Sequence, residues 1–244
     1  MVATIRSATL LGVQGHPVHV EVHVGVGLPG FQIVGLPDEA CRESRDRVRA
    51  AVMSSGLGWP SKRITVNLAP STQRKGGSGL DLAIAIGCLV ADGQLPTEAV
   101  DGLGFIGELG LDGSLRPVPG VAPMAASMPG LRPVVAPASY REAQAVADCE
   151  VRVADSLAEV VAALRVEAPW PTPPVGEVVD DLPPTTDLAD VRGQPGARLA
   201  LEIAAAGCHH LLFVGPPGSG KTMLAQRLTG LLPMLTPVIA LEAT

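Results

Sequence analysis

From Val18 to Val24 the chain alternates, with Val18, Val20, Val22 and Val24 separated by His19, Glu21 and His23. A two-residue period belongs to a β-strand with one buried face, so the valines are predicted to point into a core. After Gly35-Leu36-Pro37 the period changes. Asp38 is placed to cap a helix running to about Ser55, and Gly56 is suited to end it. Ala40, Ser44, Val48, Ala51 and Val52 form the predicted inner stripe of that helix. A β-branched run from Arg63 to Leu68 then leads to Lys75-Gly76-Gly77-Ser78-Gly79 and an apolar helix from about Leu80 to Ala91.

Farther along, Phe105 to Leu109 and Ser114 to Val118 flank Leu111-Asp112-Gly113, whose Asp-Gly step signals a tight hairpin. The pattern then predicts a helix after Gly120, a strand over Arg132 to Ala136, a helix over Ser139 to Ala147, a strand over Glu150 to Val153 and a helix over Ser156 to Leu164. Mixed α/β structure follows. From Ala168 to Thr186 prolines accumulate, which precludes a regular helix and favours extended backbone. The expected organisation is a domain at 1–166, a proline-rich linker at 167–186 and a second domain at 187–244.

Composition narrows the class. Of 244 residues, 47% are hydrophobic and only 2% aromatic, so the core must be built from Val, Leu, Ile and Ala. The net charge of −6 argues against coating nucleic acid through bulk positive charge. Cys41, Cys88, Cys149 and Cys208 are far apart and contain no Cys-x-x-Cys pair, which points to reduced thiols rather than a disulfide framework or zinc knuckle. No basic leader precedes an apolar run, and the Leu80 to Ala91 stretch is short and carries Asp81. The expectation is a soluble, cytoplasmic protein without a membrane partner.

The strongest chemical signal lies at Gly215-Pro216-Pro217-Gly218-Ser219-Gly220-Lys221-Thr222. Gly-x-x-x-x-Gly-Lys-Thr stands here between an apolar run, Leu211 to Val214, predicted as a strand, and a helix-compatible run, Met223 to Leu232. Glycines allow backbone N–H groups to turn inward around phosphate oxygens, and the start of the next helix adds partial positive charge. Lys221 is expected to reach the β- and γ-phosphates of ATP, and the Thr222 hydroxyl to ligate the Mg2+ that bridges them. Gly215, Pro216, Pro217, Gly218, Ser219, Gly220, Lys221, Thr222 and Met223 form the expected nucleotide-binding set.

The segments Asp187 to Gln194, Ala200 to Gly207 and Gly215 to Ala225 together resemble the magnesium-chelatase-like branch of AAA+ ATPases, in particular the YifB/ComM family. Upstream, Gly35 to Asp38, Glu43 to Ala50, Arg63 to Pro70 and Gly107 to Gly113 are similar to the N-terminal domain of the same family. That resemblance implies a Lon-protease-like α+β domain followed by the start of a P-loop AAA+ domain. It implies ATP and Mg2+ as cofactors, a hexameric ring as the assembled form and DNA as a partner, through branch migration in recombination. It also sets Asp190-Val191 and Gly193-Gln194 near the adenine. Aligned with a Lon-type peptidase, Gly79 falls at the nucleophile and Met124 near the lysine base, with Ser78 one position away. No lysine occurs between Lys75 and Lys221, so an inactive peptidase domain is expected. The acidic Walker B strand, sensors and arginine finger of such a motor cannot be located, and an incomplete ATPase module, poorly packed by itself and without turnover, is expected.

Weaker constellations remain. His19, Glu21 and His23 share a strand face and could bind a metal ion, although a solvent-facing polar row is the expected reading. His209-His210 is read as a connecting turn. Arg42, Arg45, Arg47, Arg49, Lys62, Arg63, Arg74 and Lys75 concentrate eight of the eighteen basic residues. A phosphate-contacting face and a helix surface pairing with Glu39, Glu43 and Asp46 are both open. The function expected is an ATP-driven ring motor on DNA; a non-catalytic recruiting module and a chelatase-type ATPase remodelling a protein partner are the alternatives.

Overall fold

The computed structural model describes residues 2–72, 75–146, 150–174, 186–236 and 239–240. It divides into two compact units, residues 1–175 with 239–244, and residues 176–238. The first unit opens with strands β1 (Val2–Leu11), β2 (Gln14–Gly25) and β3 (Gly30–Val34), helix α1 (Glu39–Ser54) and strand β4 (Arg63–Ala69). These strands form a four-stranded sheet in the order β1-β2-β4-β3, antiparallel except for the β3/β4 pair, which α1 connects. The expected alternation holds: Val18, Val20, Val22 and Val24 are buried, while His19, Glu21 and His23 are not.

Helix α2 (Asp81–Ala91) packs on β1 and β2, and all eleven of its residues are buried. An apolar surface on every side requires that placement. Gly87 is the point of closest approach, since a Cβ there would lie 2.5 Å from Val22 Cγ2 and 3.3 Å from Ile5 Cγ1. Each large aliphatic side chain buried here, such as Ile84 or Leu89, contributes on the order of 1.5–3 kcal/mol through removal from water.

Helix α1 begins as its sequence indicates, with the Asp38 carboxylate accepting from the Cys41 amide at 2.8 Å. Ser55 caps its end, followed by Gly56 at φ +72°. Its buried stripe is Cys41, Ser44, Val48, Ala51 and Val52, so Cys41 takes the inner place expected of Ala40. The remainder of the unit comprises β5 (Leu103–Phe105), β6 (Glu108–Leu109), β7 (Leu115–Arg116), α3 (Val121–Ala126), β8 (Arg132–Val135), α4 (Tyr140–Gln144), β9 (Arg152–Val153) and α5 (Leu157–Leu164). Strands β6 and β7 form the expected hairpin. Phe105 belongs instead to a parallel three-stranded sheet, β5-β8-β9, because its partner is Val134 of β8. The expected strand at 150–153 shortens to Arg152–Val153, and Ala147 and Cys149 lie outside the described residues.

Trp170, inside the segment expected to be a linker, packs against the first unit's core. Residues 175–185 of that segment lie outside the described residues. The second unit contains a 3₁₀ turn (Leu188–Asp190), α6 (Pro195–Gly207), α7 (Lys221–Gln226) and α8 (Leu228–Leu231). Its core is small: Leu188, Val191, Leu201 and Leu224, with Phe213 among the partly buried neighbours. The run Leu211 to Val214, expected to be a strand, joins no ladder among the described residues, and Leu212 and Val214 are 84% and 87% exposed. An extended segment becomes a strand only when another backbone supplies its hydrogen bonds, which apolar sequence alone cannot do. The single helix expected over Met223 to Leu232 starts earlier, at Lys221, and is interrupted at Arg227. Both parallel and antiparallel sheets occur, so the protein is mixed α/β. Among the described residues, no helix is long and apolar enough to cross a membrane.

Candidate functional site

Within the second unit, the loop from Gly215 to Gly220 turns sharply because Gly218 and Gly220 adopt φ +79° and +81°, a region that disfavours side chains. Around Gly218 there is open space, so its requirement is conformational rather than one of crowding. A Cβ on Gly220 would meet Gln194 Nε2 at 3.1 Å and Met223 Cε at 3.2 Å, and crowding applies there. Among the described residues the amides of Gly218, Gly220, Lys221 and Thr222 donate to no protein acceptor. Four N–H groups at a helix start are therefore available to an external acceptor.

Lys221 folds back across this loop. Its ammonium donates to the carbonyls of Gly215 at 2.9 Å and Pro216 at 2.8 Å, and to Ser219 Oγ at 3.3 Å. The side chains of Thr222 and Met223 are exposed next to it, as are Pro216 and Pro217. Gln194, in the left-handed conformation that precedes α6, donates from Nε2 to the Ser219 carbonyl at 2.8 Å. That contact ties the segment before α6 to the loop; only the family resemblance, and no periodicity, pointed to Gln194. Val191 is buried against Leu201 and Leu224, and its carbonyl accepts from Arg198 at 3.2 Å. Asp190, its neighbour, is exposed.

In the first unit, the glycine-rich loop after Lys75 is held by Asp38. One carboxylate oxygen caps α1, and the other accepts from the Gly77 amide at 3.0 Å. Lys75 is 1% exposed, and its ammonium donates to the Pro70 carbonyl. Burial lowers its pKa from the usual lysine value. The Ser78 hydroxyl donates to Glu108, Gly79 faces Val118, and Met124 is buried in a second apolar cluster. The residues aligned with a Ser-Lys peptidase thus bring a serine to a carboxylate rather than to a lysine.

Asp81, at the start of α2, is fully buried and accepts from Arg47 Nε at 2.7 Å, Arg47 Nη2 at 3.1 Å, the Leu109 amide at 3.3 Å and the Ser44 hydroxyl. Burial pushes its carboxyl up, against the hydrogen bonds from Arg47 and Ser44. The eight clustered cations therefore divide. Arg47 and Lys75 point inward, Arg74 lies outside the described residues, and Arg42, Arg45, Arg49, Lys62 and Arg63 are exposed. Glu43 and Asp46 do pair with Arg47 and Arg45, at 3.6 and 3.1 Å.

The polar face of β2 is engaged within the sheet: His19 contacts Arg6, and Glu21 accepts from Asn67 at 2.8 Å. Burial, followed by the Arg6 charge, lowers the His19 pKa. Among the described residues, no group of three or more His, Cys, Asp and Glu side chains is gathered to hold a metal ion. His209 and His210 lie in the turn after α6, where the His209 amide donates to the Ala204 carbonyl at 2.9 Å.

Residues 20–139 match the family model described as subunit ChlI of Mg-chelatase, and residues 187–244 match magnesium chelatase, subunit ChlI. The chain is 46% identical over 244 residues to an uncharacterized protein of Mycobacterium tuberculosis. It is 45% identical over 248 residues to the competence protein ComM of Haemophilus influenzae, and 43% over 245 to the uncharacterized protein YifB of Escherichia coli. Each alignment takes in 98% of this chain but 47–48% of the relative, so the chain spans about half the length of the curated relatives it matches.

Proposed function

The chain belongs to the YifB/ComM family of magnesium-chelatase ChlI-type AAA+ ATPases, and from that membership we propose that Gly215 to Thr222 binds the phosphates of Mg-ATP. The observation that carries this reading is the conjunction at one loop of two left-handed glycines, four unengaged amides and the Lys221 ammonium. Amides and ammonium are the donors a triphosphate needs, and no carboxylate is hydrogen-bonded to Lys221 to compete for it among the described residues. Lys221 exchanges its carbonyl partners for phosphate oxygens; Thr222 offers the hydroxyl that a phosphate-bound Mg2+ requires. Gln194 holds the loop through Ser219, and Asp190, Val191 and Met223 complete the nucleotide-binding set. Mg-ATP supplies the phosphoanhydride whose hydrolysis drives the assembled protein.

Isothermal titration of Mg-ATP into the full-length protein and into its Lys221→Ala variant tests the reading. Loss of charged hydrogen bonds worth about 1.5–3 kcal/mol weakens binding by about 10- to 150-fold. Thr222→Val should remove the Mg2+ dependence of whatever affinity remains. Equal affinity in the wild type and Lys221→Ala would overturn the proposal and favour a non-catalytic module.

The assembled protein is proposed to be a ring-forming motor that moves branched DNA. AAA+ family members oligomerise, and one relative is named a competence protein. The chelatase descriptions of both family models favour a second reading, ATP-driven remodelling of a protein partner. ATP-dependent unwinding of a four-way DNA junction by the full-length protein, absent in Lys221→Ala, supports the first; ATP turnover without effect on any branched DNA supports the second.

A further inference from the structure

In a chain with 2% aromatic residues, Phe31 of β3 and Trp59 of the segment before β4 meet with ring centroids 5.7 Å apart and planes inclined by 36°. Both are only partly buried. They line a cavity of about 340 Å³ with Arg45, Asp46, Arg49 and Lys62. A second cavity, of about 430 Å³, adjoins it at Gly30 and Phe31 and adds Arg63 and the exposed apolar side chains Val26 and Leu28. The result is a track of two aromatic rings and an aliphatic lip, joined at Gly30 and Phe31 and bordered by four cations and one carboxylate, on a protein whose net charge is −6.

The cations are available. Arg45 and Arg49 stand one turn apart on the outer face of α1, whose inner face is anchored by the Arg47–Asp81 pair. Among the described residues Arg45 is paired only with its neighbour Asp46, and their side chains are 56% and 74% exposed. Such a surface pair is worth about 0–1 kcal/mol, so a phosphate can replace the carboxylate. Among the described residues, the Arg49 side chain makes no hydrogen bond or salt bridge, though its charge helps to lower the Asp46 carboxyl pKa. Lys62 reaches Asp92 at 3.1 Å, again from an exposed position.

We propose that this track binds single-stranded nucleic acid, with bases stacked on Trp59, Phe31 and the Val26 to Leu28 lip and backbone phosphates held by Arg45, Arg49, Lys62 and Arg63. Unpaired bases expose the π-faces that such a platform takes, and a backbone repeating one negative charge per base suits cations spaced along it. An acidic peptide would use the cations but leave the aromatic faces and the apolar lip without a matching group. The track belongs to the first unit and the Gly215 to Thr222 loop to the second, and the track provides a hold on DNA for the motor proposed above, on which reading it rests.

The test is fluorescence anisotropy of a fluorescein-labelled oligothymidylate of about 15 nucleotides, titrated with the full-length protein at two salt concentrations and without ATP. Because ATP is omitted, failure here leaves the phosphate-loop reading intact, and failure of ATP binding leaves this one intact. Binding should weaken with salt, and Arg45→Glu/Arg49→Glu should lower affinity by about tenfold or more and flatten the salt slope. Both arginines are exposed, so circular dichroism should show the variant folded. The difference in tryptophan quenching between the wild type and Trp59→Phe on titration isolates Trp59 and reports stacking even if Trp59→Leu proves unstable. Four results overturn the proposal: no anisotropy change, an unaffected double variant, duplex DNA bound as tightly as the single strand, or equal competition by polyglutamate, which would assign the track to an acidic protein partner.

Discussion

Arg47→Met isolates the charge pair that holds α1 against α2. Methionine keeps much of the aliphatic stem but removes the guanidinium, which donates to Asp81 at 2.7 and 3.1 Å and to the Ala40 carbonyl at 3.1 Å. The Asp81 side chain is 0% exposed and that of Arg47 19%, so the substitution leaves a carboxylate buried with only the Ser44 hydroxyl and the Leu109 amide. Removing one partner of a buried pair costs about 3–5 kcal/mol, and the two surviving hydrogen bonds place the expected loss near 3 kcal/mol. The pH dependence adds a second signature. Burial already holds the Asp81 carboxyl above its ordinary range. A group raised in this way contributes stability that is complete below its unfolded value and lost as the pH rises through its folded value. Without Arg47 the folded value rises further, so the deficit is greatest near neutral pH and shrinks on acidification, by at most ~1.4 kcal/mol per pH unit inside that window. Urea denaturation of the wild type and variant at about pH 7 and about pH 5 measures both effects. A loss below about 1 kcal/mol, or a deficit that does not change with pH, would refute the reasoning.

Burial pushes the Cys41 thiol up to about 12, with help from Asp38 and Asp81, and raises the Cys88 thiol as well, whereas Cys208 is exposed. Iodoacetamide at mildly alkaline pH should therefore modify Cys208 in the native protein and reach Cys41 and Cys88 only after denaturation, as peptide mass spectrometry would show. Gly35 has φ +98°, and a Cβ there would run into the Leu68 backbone. Gly35→Ala should cost at least about 1–3 kcal/mol, and for a unit of this size each kcal/mol lowers Tm by about 2–4 °C. An unchanged melting temperature would show that the β3–α1 corner is not constrained as described.

What the sequence determined by itself was local. Alternation placed the valines of β2, Asp38 and Gly56 bounded α1, and an uninterrupted apolar run marked α2 as buried, because periodicity and capping involve residues a few positions apart. The glycine and lysine spacing of the Gly215 to Thr222 loop was legible for the same reason. Tertiary structure decided the rest. Among the cations clustered from Arg42 to Lys75, only packing separates Arg47, drawn inward by a carboxylate 34 positions away, from Arg45 and Arg49, left outside on the same helix. Phe31 and Trp59 lie on separate stretches of chain and meet because β3 pairs with β4, a register that neither segment encodes alone. Leu211 to Val214 shows the converse: apolar sequence favours extension, but a strand requires a neighbour, and hydrogen-bond partners distant in sequence are what local patterning leaves open.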